Sequence, residues 1–91
     1  MDTAEAKAIL AKEISDLAAR SYDQLVTSIK NTEVKNVVDK SGVNYQIEIN
    51  VFWDAKPNGN LLIMAAMDDR GWRAFGPLTE SLIMKPDGTL L

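Results

Sequence analysis

Neither cysteine nor histidine occurs anywhere in the chain. Without cysteine there is no disulfide framework, no thiolate metal site and no thiol nucleophile. Without histidine the commonest general base, the commonest transition-metal ligand and the usual pH switch near neutrality are missing together. Hydrolytic triads and zinc chemistry are therefore poor readings, and any enzyme built on this sequence would run on carboxylates, lysine or tyrosine. Long hydrophobic runs are lacking too. The longest uncharged apolar stretch, Leu61 to Met67, is far below the roughly 20 residues that a membrane helix needs, so no membrane partner is expected. Met1 to Glu13 scatters Asp2, Glu5, Lys7, Lys12 and Glu13 among alanines, unlike a signal peptide or an acid-poor transit peptide, and a cytoplasmic location is the expectation.

Positive charge is also in short supply. Ten Lys and Arg stand against thirteen Asp and Glu, a net charge of −3, and the basic residues are dispersed along the chain. That gives no drive toward a phosphate backbone, and nucleic acid is not an expected partner. The same charge is too small to support a role in neutralising a basic partner. The five glycines, Gly42, Gly59, Gly71, Gly76 and Gly88, stand singly at turn positions, so no phosphate-cradling loop or dinucleotide fingerprint exists.

What is present is an ordinary globular composition, 46% hydrophobic and 25% charged over 91 residues, enough for one domain spanning 1–91. A domain of this size buries only about 60 to 65% of the surface that its unfolded chain exposes, so each large apolar residue matters.

Ile9, Leu10, Ile14, Leu17, Ala18, Tyr22, Leu25, Val26 and Ile29 recur at spacings of three and four, which predicts one long helix over about 3–30. Asp2 with Glu5 three residues on fits a capping box, and six alanines before Arg20 add propensity. Lys12, Asp16 and Arg20 fall on the opposite side, four apart, as a stripe able to pair weakly. A bend near Ser21 is the competing arrangement.

After Asn31 the period changes to that of a sheet over about 32–91. Thr32 to Asp39 is rich in β-branched residues, and Lys40-Ser41-Gly42 is a turn. Asn44 to Trp53 then alternates, with Tyr45, Ile47, Ile49, Val51 and Trp53 on one face. Asn58-Gly59 turns the chain into Leu61 to Met67, apolar at every position and so buried on both faces. Asp68 to Gly71 reads as another turn and Trp72 to Phe75 as the start of a fourth strand, which jogs at Gly76-Pro77. Leu78 to Met84 stays open between extended chain and a helical turn. The fold class is α+β in two layers: one N-terminal helix on an antiparallel meander of four strands, with a fifth as an option.

Candidate chemistry is thin. Asp54 ends the second strand and Asp68-Asp69 the third, so adjacent antiparallel strands keep them apart, and neither a catalytic nor a metal site of Glu48, Asp54, Asp68 and Asp69 is expected. Trp72, between Arg70 and Arg73, reads as a core residue flanked by solvated cations rather than as an anchor for a partner. No catalytic residue, metal ligand or cofactor site is assigned.

The informative feature is a mismatch between apolar surface and cover. One helix shields one face of a sheet, yet the third strand is apolar on both, and Phe52 points with Leu62, Met64 and Ala66 to the second face, with Phe75 or Trp72 joining them. Such a patch reaches a few hundred Å², a size at which exposed apolar surface usually marks an interface. Met64, Met67 and Met84 lie in or near it and pack adaptably. A C-terminal segment folded back over the patch is the competing arrangement. The expected function is a non-enzymatic protein-interaction module, homodimeric through Phe52, Leu62, Met64, Ala66 and Phe75, with another protein as the alternative partner. The second reading is a small-molecule binder or small enzyme with a pocket between helix and sheet near Tyr22, Tyr45 and Trp53.

Overall fold

A computed structural model describes residues 3–68 and 78–91. The expected strand start at Trp72 to Phe75, the jog at Gly76-Pro77, the Asp69 to Arg73 segment and the candidate contact Phe75 lie outside the described residues.

The alanine-rich opening forms α1, Thr3–Ala18. Its stripe of Ala6, Leu10, Ile14 and Leu17 is buried in the core, and full burial of each leucine is worth about 1.5–3 kcal/mol. The expected single helix over 3–30 is not what the chain forms. Arg20 N–H donates back to the Leu17 carbonyl at 3.1 Å, and Ser21 then turns extended, with φ −71 and ψ 157. The Ser21 hydroxyl accepts from Gln24 N–H while the Gln24 side chain accepts from Ser21 N–H. This capping box supplies partners to the first amides of a new helix, which a continuous helix would not need. The result is α2, Tyr22–Val26, with Leu25 fully buried. The break also divides the charged stripe. Lys12 still pairs with Asp16 at 3.1 Å, but Arg20 reaches Glu33 at 3.5 Å instead.

Four strands follow: β1, Glu33–Val38; β2, Asn44–Trp53; β3, Leu61–Asp68; and β4, Leu78–Met84. They form one antiparallel sheet in the order β1-β2-β3-β4, the predicted meander. Gly42 at φ 84 closes the first turn, where a side chain would be strained. Asn58 at φ 66 takes the left-handed position in the second. Leu78 to Met84, open between strand and helix in the sequence, is strand because every residue pairs with β3, from Leu61↔Met84 to Met67↔Leu78. No fifth strand forms among the described residues. Residues 85–88 turn, and the tail makes one bridge, Met84↔Leu90, with Leu91 N–H donating to the Ile83 carbonyl at 2.9 Å.

The core lies between the helices and one sheet face. Tyr45, Ile47, Ile49 and Val51 of β2, Leu61, Ile63, Ala65 and Met67 of β3, and Met84 are all buried there. The parity predicted for β2 holds, with Trp53 half-buried at its end. Two polar ties fix the layers to each other. Glu13, buried on α1, accepts from Lys35 of β1 at 2.9 Å. Glu5, in the first turn of α1, accepts from the Tyr45 hydroxyl at 2.8 Å and the Ser41 hydroxyl at 3.0 Å.

Candidate functional site

The second face of the sheet is built by alternate residues of each strand, and register decides which of them meet. Phe52 sits opposite Leu62, and Leu62 opposite Ile83, giving one apolar row across β2, β3 and β4. The next row is Asn50, Met64 and Ser81, and the one after it Val34, Glu48, Ala66 and Thr79. Phe52 is 46% exposed, while Leu62, Met64, Ala66 and Ile83 are half-buried. Both helices pack on the opposite face, and the C-terminal tail bonds to the edge of β4 rather than lying over the row. Among the described residues nothing covers it.

Charge is sparse in these three rows. Across them, from Phe52–Leu62–Ile83 to Val34–Glu48–Ala66–Thr79, only Glu48 is charged, and it accepts from the Asn50 amide at 3.0 Å; beyond them the register puts Asp68 opposite Gln46. Asn50 in turn accepts from the Thr32 hydroxyl at 2.7 Å. A polar strip along β2 therefore separates the Phe52–Leu62–Ile83 row from two exposed valines on β1, Val34 and Val38, at 52% and 67%. Ile83, Val34 and Val38 were not singled out by the sequence. Pairing register places Ile83 beside Leu62, and the alternation of β1 puts both valines on one face, but each signal needs the partner strand to be known.

The residues of the alternative pocket are not brought to one place. Tyr45 and Trp53 are eight residues apart on β2, which is roughly 26 Å of strand. Tyr45 fills the core fully buried, at the α1 end held by Glu5. Tyr22 is at the other end with Trp53, its hydroxyl donating to the Gly59 carbonyl at 2.7 Å. A groove of about 410 Å³ lies beside Tyr22, between residues 18–23 and the turn at 86–88. At its rim the Asp87 carboxyl is held below the usual carboxylate range, first by the Thr89 hydroxyl and then by the Thr89 amide, which donate at 2.6 and 2.9 Å.

The carboxylates that the sequence offers are kept apart among the described residues. Asp54 lies beside Asn60 at the start of β3, roughly 26 Å of strand away from Asp68 at its end. Among the described residues no three carboxylates gather to hold a metal ion. Every buried side-chain nitrogen and oxygen there has a hydrogen-bond partner. No helix of the described residues is long and apolar enough to cross a membrane. No family model, curated protein or solved structure matches the chain.

Proposed function

We propose that this chain is a non-enzymatic interaction module that forms a homodimer by stacking the open sheet face of one copy on that of another. The observation that carries the reading is the row Phe52–Leu62–Ile83 with Met64 and Ala66 beside it, apolar, outside the helical layer and nearly free of charge. Depletion of charge with retention of aromatic and Met side chains is the composition of an interface centre. A second copy is the natural occupant. The apolar row itself carries no charge for recognition of a basic or acidic partner, and an aligned two-fold stacking lays each apolar row against an identical one. Two sheets packed this way are about 10 Å apart, a gap that Phe52, Leu62 and Met64 fill from both sides.

Met64 is the most sensitive position, because it sits at the centre of the patch between Asn50 and Ser81. Met64→Lys places a cation in the stacked layer, while a lone copy keeps it in water beside polar neighbours. Light scattering over a dilution series is expected to show association by the parent chain and a folded Met64→Lys variant that no longer stacks. A folded variant of unchanged mass would remove this face from the reading.

A further inference from the structure

We propose that the free edge of β1 is a second self-association surface, on which another copy adds its own β1 antiparallel about a two-fold axis through Asn36. This contact is separate from the stacking of open faces. The two edges of the sheet differ. Beside β4 the C-terminal tail has turned back, bonding Leu91 N–H to Ile83 and Lys85 N–H to Thr89. Beside β1 no described residue pairs at all.

Ladder parity shows what that edge presents. Asp39 N–H donates to the Val43 carbonyl at 3.0 Å, in register with the β1–β2 pairs. Hydrogen-bonded and non-bonded pairs alternate along an antiparallel ladder. Glu33, Lys35 and Val37 therefore spend their backbone groups on β2, and Val34, Asn36 and Val38 direct theirs outward. β2 agrees independently: Asp54 N–H donates to the Asn60 carbonyl, so its even residues bond β3 and its odd residues are left for β1.

An outward set at 34, 36 and 38 is self-complementary. With Asn36 opposite Asn36 of a second copy, Val34 falls opposite that copy's Val38 and Val38 opposite its Val34. All three become hydrogen-bonded pairs, giving about six backbone bonds at two per pair. The two most exposed valines, at 52% and 67%, meet on one face as β-branched cross-strand pairs. An axis at Val34 or Val38 would leave one valine unmatched. The usual guards of an edge are absent or occupied. β1 holds no proline and no bulge across its one-to-one register, and its inward cation, Lys35, is bound to Glu13 at 2.9 Å. Glu33 would oppose Asp39 of the second copy at the margin, where Arg20 stands 3.5 Å from Glu33.

The axis is perpendicular to the sheet, so both helical layers lie on one side of a continuous eight-stranded sheet and both open faces on the other. Edge pairing therefore leaves the open face of each copy available on the same side of the paired sheet.

Because the chain has no cysteine, single-cysteine variants report the pairing directly. Under mild oxidation Asn36→Cys is expected to form a covalent dimer, since hydrogen-bonded partners have Cα atoms about 5.5 Å apart, within disulfide range. Val34→Cys and Val38→Cys should each stay single on a non-reducing gel, whereas their equimolar mixture crosslinks. Asp87→Cys, on the exposed C-terminal turn, sets the background. Crosslinking of Asn36→Cys no faster than that background, or a mixture no better than its components, overturns the proposal. Asn36→Pro removes an outward amide that β2 does not use, and loss of the edge contact is expected with an unchanged circular dichroism spectrum. If that variant misfolds, the cysteine pattern alone decides. Repeating the pattern in Met64→Lys separates the two contacts. A pattern that survives there supports edge pairing whatever becomes of the face, and a pattern absent from both backgrounds sinks edge pairing while leaving the mass loss in Met64→Lys to speak for the face.

Discussion

Glu13 is the one charged residue buried among those described, with its side chain 9% exposed, and its partner Lys35 keeps 42% of its own surface. The two sides of this pair are therefore not equivalent. Lys35→Met leaves a carboxylate in the core without its cation, and a loss of about 1–3 kcal/mol is expected from urea unfolding. Glu13→Leu leaves only a lysine that reaches water and continues the Leu10–Ile14–Leu17 stripe, so it should lie near neutral or be stabilising, as replacement of buried ionic groups often is. Equal losses in the two variants would mean that the pair acts as a unit rather than as a cost imposed by one end. The exposed Lys12–Asp16 pair, with side chains 79% and 58% exposed, should contribute little. Glu13 was not legible as a buried residue, because a hydrophobic pattern passes over a carboxylate and a sequence does not say which charge on a helix has a cation across from it. That knowledge required β1 to be in place.

At the scale of elements, the break near Ser21 was legible only as the competing arrangement, for a definite reason. α2 packs into the same core as α1, so Tyr22, Leu25 and Val26 keep the three-and-four spacing of the preceding helix, and periodicity cannot register a change of axis. The local signal was Ser21 with Gln24 three residues on, a capping box inside what reads as a continuing helix. Ser21→Ala is expected to cost about 1 kcal/mol in chemical denaturation, the usual worth of an N-cap. A null effect would mean that Leu25 burial and the Tyr22–Gly59 hydrogen bond hold α2 without its cap. The strands behaved differently. β2 was legible to the residue because one face is buried and the other is not, which writes itself as alternation. β3 was legible because it is apolar throughout. β4, with Thr79, Glu80 and Ser81 in its first half, carries no such pattern. Its extended form comes from pairing with β3, a non-local cause that its own residues do not encode.

For the whole molecule, the second face was legible as an imbalance of apolar area against cover, and Phe52, Leu62, Met64 and Ala66 do share it. The uncharged row Phe52–Leu62–Ile83 and the junction of this face with a β1 edge that no described residue pairs were not legible, because both depend on which strands lie side by side. Two surfaces that no described residue covers, on a domain of 91 residues, have a thermodynamic consequence. A small domain stores little stability of its own, and any assembly that binds only the folded state adds to it by mass action. If two copies unfold together, a tenfold rise in protein concentration should raise Tm by about 4 °C, since the gain of about 1.4 kcal/mol is spread over the unfolding entropy of two chains. Differential scanning calorimetry from micromolar to near-millimolar chain would read this directly. Met64→Lys should reduce the slope if face stacking supplies it, Asn36→Pro should do so if edge pairing does, and only the double variant should be flat if both operate. A parent chain whose Tm does not move with concentration is a monomer throughout that range, and then neither surface is used by a second copy.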